Sequence, residues 1–293
     1  MSASENNIIV GVDGSERSRD ALALADLLAG AAAGRLLIAH VHDYGHLEGL
    51  LDGAEYETLI LEVAETTAAE ARKQLGDQRA HEMSLVAGRS PAAGLQGFAR
   101  HEAASLIVVG SSHRSTVGRV QPGGVGQRLL AGAPIPVAVA PLGYADRARA
   151  LETVGCGFDG SDESRRALDW AAALARDAGA ALRVIAVHER MAFSNVPTTF
   201  SGESANKAMR RALRTRLDDA VAEVGAEVPA EAVLAHGGAV QVLARETERL
   251  NLLVMGSRGY GPLRAVLLGS VSGQLINSAP APIVVVPRGA SES

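Results

Sequence analysis

Lysine is almost missing from this chain. Lys73 and Lys207 are the only two, so arginine supplies nearly all the positive charge. Neither lysine is near a glycine-rich loop, and no G-x-x-x-x-G-K-[ST] run occurs, which excludes a P-loop. Cysteine occurs once, as Cys156, which rules out an internal disulfide framework and fits a reducing compartment. It is expected in the core of a strand. An excess of positive charge is also lacking: the formal net charge is -5 and the pI is near 5.9. No basic footprint for nucleic acid is therefore expected. The longest apolar-rich run, residues 21–41, is rich in alanine and broken by Asp26 and Arg35, so no membrane span is expected. The polar start MSASENN has no apolar stretch of the signal-peptide kind, and a cytoplasmic protein is expected.

What is present fits globular structure. The 293 residues are 47% apolar and 21% charged, enough for two domains with real cores. The chain also repeats itself. Asp13-Gly14-Ser15 recurs as Asp159-Gly160-Ser161, an offset of 146 residues. The same offset takes Val41-His42 to Val187-His188, Gly110-Ser111 to Gly256-Ser257, Gly123 to Gly269, and Pro136 and Pro141 to Pro282 and Pro287. One register over so many landmarks marks a tandem duplication. Domains over residues 1–145 and 150–293 are expected, joined near Gly143 to Glu152.

Each unit alternates short apolar runs with helical patterns. In the first, residues 8–13, 35–42, 82–87, 105–110 and 137–140 have strand length. Ala21, Leu24, Ala25 and Leu28 fall at i, i+3, i+4 and i+7, and Ala167, Trp170, Ala171 and Leu174 repeat the stripe. Strands alternating with helices imply a parallel sheet covered on both faces. The expected fold is α/β: two tandem, doubly wound, Rossmann-like domains, each with a five-stranded parallel sheet.

Ligands of such sheets bind beyond the carboxyl ends of the strands. Asp13 and Asp159 end the first strands, Val41-His42 and Val187-His188 the second, and Gly110 and Gly256 the fourth. The stretch GSRGYGPLRAVLLGS, residues 256–270, then carries four glycines. Gly256 and Gly259 at positive φ would point successive N–H groups into one concavity, a nest for an anion. A helix beginning at Gly269-Ser270 would add unpaired N–H groups, with hydroxyls from Ser270 and Ser272. Simple turns and N-caps would use the same residues, and Asp13 and Asp159 equally suit Asx turns.

The spacing Gly256-x2-Gly259-x9-Gly269-Ser270, with Asp159 and Val187, resembles the nucleotide-binding signature of the universal stress proteins, in their ATP-binding branch. The resemblance covers nearly the whole chain as two family domains. It implies ATP as cofactor, sometimes with Mg2+, and a binding or signalling role in stress response rather than catalysis. Adenine would lie beside the second strand and ribose near Asp159, with phosphates at Gly256, Gly259, Gly269 and Ser270 and further donors from Val271 and Ser272. In the first unit Asp13, Val41, Gly110, Gly123, Gly124 and Val125 take the matching places. The resemblance also implies pairing of last strands, here 137–140 with 283–286, as a pseudo-dimer within the chain; homodimerisation is open.

The first unit departs from the pattern: His113 stands where Gly259 does, and Gly124 where Ser270 does. Tighter ATP binding is therefore expected in the second unit. Two rival readings are a slow ATP hydrolase and a protein-interaction module without nucleotide. The variable stretches, residues 44–78 and 190–224, would carry the specificity of such a module. His40, His42, Asp43 and His46 suggest a metal site, but the repeat replaces His40 by Ala186, and no metal is expected.

Overall fold

The short apolar runs form strands, the central ones buried on both faces, and the stripes between them form helices. A computed structural model describes residues 6–43, 53–76, 82–112, 115–189, 202–257, 270–277 and 279–288. In the first unit β1 (Asn7–Val12), β2 (Arg35–Asp43), β3 (Glu82–Gly88), β4 (Leu106–Gly110) and β5 (Val137–Ala140) alternate with helices. These helices are α1 (Glu16–Ala31), α2 (Gly53–Leu75), α3 (Pro91–His101) and α4 (Gly124–Gly132). The second unit repeats the order with β6 (Thr153–Gly157), α5 (Asp162–Ala178), β7 (Ala181–His188), α6 (Gly202–Val224) and β8 (Ala230–His236). It closes with α7 (Ala239–Glu246), β9 (Leu252–Gly256), α8 (Ser270–Leu275) and β10 (Ile283–Val286).

All ten strands among the described residues share one sheet, ordered β3-β2-β1-β4-β5-β10-β9-β6-β7-β8. Within each unit these strands pair in parallel. The units meet where β5 and β10 pair antiparallel, with Val284 opposite Ala138. The pairing of last strands therefore exists inside the chain. Each order reverses between the first and fourth strands, so each unit has a switch point at the carboxyl edge.

Alternation along the strands splits the core between the two faces of the sheet. Val10, Val108, Val154 and Val184 pack under α1, α2, α5 and α6, while Ile9, Ile107, Ile185 and Leu253 pack under α3, α4, α7 and α8. Cys156 is fully buried in the first layer, and burial pushes its thiol pKa far above the ordinary value.

The segment after β5 is held from α1. Asp20, only 3% exposed, accepts the Gly143 and Ala145 amides, each at 2.8 Å. Gly143 turns the chain there with φ of 74°. A loop of the first unit also reaches across: Val120, fully buried, donates its amide to the Ala279 carbonyl of the second unit at 2.9 Å.

Candidate functional site

Each carboxyl edge carries a cleft built from equivalent elements. In the first unit Asp13, Val41, Gly110, Gly123, Gly124 and Val125 all line one cleft of about 540 Å3. Ala39, Val41 and Leu95 give it an apolar wall, and Val41 is fixed by packing on Gly94 of α3. The floor is the first turn of α4. Its N-cap, Gly123, has no side chain to satisfy the opening N–H groups, and Gly124 faces open space. Ser111 latches the loop above by donating to the Ala140 carbonyl at 2.7 Å and accepting the Gln121 amide at 3.1 Å.

In the second unit Asp159, Val187, Gly256, Val271 and Ser272 line a cleft of about 130 Å3, with Ile185, Leu243 and Met255 as apolar wall. Ser270 begins α8. Gly259 and Gly269 lie outside the described residues, as do His113, Arg258 and Arg264. The convergence of residues 256–259 with 269–272 is thus described only for Gly256, Val271 and Ser272.

Gly256 does not serve the predicted purpose. It is not among the positive-φ glycines, and neither is Gly110. A Cβ at 256 would stand 2.5 Å from the Glu163 carbonyl oxygen, and one at 110 would stand 2.3 Å from that of Arg17. These glycines let the fourth strand of each unit touch the backbone of the helix that follows the first. Positive φ falls instead on Gly14 and Gly160, at 74° and 82°, in the duplicated Asp-Gly-Ser turns. The Ser257 amide is also taken, donating to the Val286 carbonyl at 2.9 Å.

Both aspartates form Asx turns. The Ser15 amide donates to Asp13 Oδ1 at 3.1 Å, and the Ser161 amide to Asp159 Oδ1 at 2.9 Å. In the first unit the Ser15 and Ser18 hydroxyls donate to the same Asp13 oxygen, and Arg17 Nη2 lies 3.6 Å from the other. Desolvation by the surrounding protein pushes the Asp13 pKa upward. The Ser15 and Ser18 hydroxyls, the Ser15 amide and the Arg17 charge outweigh it and hold the carboxyl below its ordinary 3.8. In the second unit Ser164 turns away, donating to the Ser161 carbonyl at 2.9 Å, while Ser161 caps α5 through the Ser164 amide.

The residues that sequence reading missed are Arg17 and Glu163. They stand four residues beyond Asp13 and Asp159, each lining its cleft. Glu163 is held from outside the cleft by Arg288 at 3.3 Å and Arg166 at 3.8 Å. A position-by-position comparison of the repeats would have exposed the charge reversal.

The histidine cluster is not assembled as far as it is described. The Asp43 side chain and His46 lie outside the described residues, which contain no group of three metal-ligating side chains. No described helix is long and apolar enough to cross a membrane.

Comparison with known proteins decides the family. The Universal stress protein family profile matches residues 5–141 and again 151–287. The chain belongs to the universal stress protein family. A universal stress protein of Mycobacterium tuberculosis is 30% identical over 244 residues, covering 80% of this chain and 82% of the relative. A single-unit universal stress protein from Thermus aquaticus is 33% identical over 139 residues, covering 46% of this chain and 98% of its own. Among solved structures, a universal stress protein from Archaeoglobus fulgidus superposes with a TM-score of 0.71 at 20% identity, covering 98% of this chain and all of that one. The whole universal stress protein chain, both units included, therefore shares the fold of that structure.

Proposed function

We propose that this universal stress protein binds an adenine nucleotide, with ATP the expected ligand, and acts as a nucleotide-dependent binding protein rather than a catalyst. The observation carrying this reading is the first cleft. It has the volume of a small-molecule site, in the range of roughly 300–1,000 Å3. One end is apolar and suits a base. The other offers the opening amides of a nine-residue helix, the uncapped α4, and Arg17 lines the same cleft. An anion at a helix N-terminus gains roughly 0.3–1 kcal/mol, so several donors must act together.

The described residues fit phosphates through N–H groups and arginine, and offer no preformed cage for a divalent ion. A magnesium ion would arrive on the nucleotide. Asp13, already fixed by Ser15 and Ser18, would accept from a ribose hydroxyl through its second oxygen.

The loop sequences predict tighter binding in the second unit, but charge weighs the other way. The first cleft presents Arg17; the second presents Glu163 at the equivalent place. We therefore assign the stronger site to the first unit. Isothermal titration of nucleotide-free protein with ATP tests the reading. Saturable binding is expected, weakened by Arg17→Glu and strengthened at the second cleft by Glu163→Arg. No heat and no shift in melting temperature at millimolar ATP would refute it.

A further inference from the structure

The first halves of the two helices that flank the ends of the ten-stranded sheet carry opposite charge. α2 lies at the β3 end and α6 at the β8 end, and each is 23 residues long. Residues 53–66 contain four glutamates and no cation, whereas residues 202–216 contain four arginines, one lysine and one glutamate. The chain as a whole is acidic, so the basic helix stands apart from its background.

Among the described side chains, the buried ones on α6 begin at Leu217 and Ala220, and on α2 at Ala64, Thr67 and Ala68. On α6, Lys207, Arg210, Arg211 and Arg214 fall at i, i+3, i+4 and i+7, all exposed on one face. They line a groove of about 500 Å3 with Thr215 and Leu234 of the edge strand. Arg214 is paired with Asp218 at 2.8 Å, but Lys207, Arg210 and Arg211 have no ion pair among the described residues. On α2, Glu62 and Glu65 are exposed and likewise have no ion pair there.

Apolar surface accompanies both charges. Leu59, Leu61 and Val63 are 42%, 56% and 40% exposed on α2, and Met209 is 45% exposed on α6. The edge strands match as well. Leu85 is level with His40 and Leu234 with Ala186, the same place in each repeat, and Leu85 is 38% exposed. Each end thus offers an edge-strand leucine and a helix with exposed apolar side chains, the exposed charges being acidic on the first half of α2 and basic on the first half of α6.

We propose that the basic face of α6 docks on the acidic, leucine-bearing face of α2 of a second copy, joining chains head to tail. The contact is heterologous: different surfaces meet, so copies add in a row or close a ring. Charge steers the approach and fixes which ends meet, while the exposed leucines and methionine supply apolar area. This inference is independent of whether a nucleotide binds.

Sedimentation of the full chain tests it. At about 0.02 M salt, where the screening length is roughly 20 Å, mass should rise with concentration above the single-chain value of 30.2 kDa. At about 0.5 M, where it is roughly 4 Å, mass should return to that value. Arg210→Glu, Arg211→Glu and Arg214→Glu together should weaken association about tenfold or more at low salt. Glu62→Lys with Glu65→Lys should do the same, and mixing the two variants should restore it, because each then meets a complementary end. Wild type staying at one chain up to about 100 µM overturns the proposal. Association indifferent to either charge reversal overturns it too. So does capture of nucleic acid or anionic vesicles through α6 while the mass stays at one chain. The wild-type salt series stands whether or not a variant folds.

Discussion

Arg17 and Glu163 hold the same place in the two repeats, four residues beyond the cleft aspartate, with opposite charge. Each follows a duplicated Asp-Gly-Ser turn, so the backbone delivers both to the mouth of a cleft. The duplication kept the geometry, and the side chains changed the electrostatics.

The first prediction concerns that reversal. Arg17→Glu should weaken ATP binding about tenfold, roughly 1.4 kcal/mol. Glu163→Arg should strengthen the second cleft. Titrating both variants, and the double swap, separates the clefts, since the swap should exchange their order.

Gly110→Ala and Gly256→Ala should each lower stability by roughly 1–3 kcal/mol, because the added methyl meets a carbonyl oxygen at 2.3 or 2.5 Å. Gly97→Ala is the control. It lies within α3 with nothing within 4 Å of a new Cβ, and should stabilise by roughly 0.5–1 kcal/mol. Urea unfolding of the three variants checks the contrast.

Asp20→Ala should cost roughly 1–3 kcal/mol by stranding the Gly143 and Ala145 amides. Hydrogen exchange at those two amides should rise before global unfolding.

Acid titration should show Asp13 and Asp20 acting in opposite senses. The Asp13 carboxyl is held below 3.8, so its contribution is full above 3.8 and lost as pH falls through the folded value. Desolvation raises Asp20 above 3.8 despite the Ala145, Gly143 and Tyr144 amides, with the Asp146 charge adding to the rise. Its contribution is full below 3.8 and lost as pH rises through the folded value. Asp13→Asn should flatten the low-pH loss of stability, and Asp20→Asn should flatten the change just above 3.8.

Cys156 should resist thiol reagents in the folded protein and react once denatured, because its thiol is fully buried and burial disfavours the thiolate. Thiol titration with and without denaturant reads this directly.

The sequence by itself determined the repeat, the strands and helices, and the residues at the carboxyl edges. These depend on local periodicity and on a register that survived duplication. The expected strand at 137–140 is the observed one, and the Asp13 and Asp159 turns needed only neighbouring amides. Tertiary structure decided what packing distances decide. Gly110 and Gly256 are required by a helix backbone distant in sequence, so their role could not be read from the loop they open. The opposed charges of α2 and α6 became two ends of one molecule only when β5 paired with β10, because that antiparallel seam carries the helices apart.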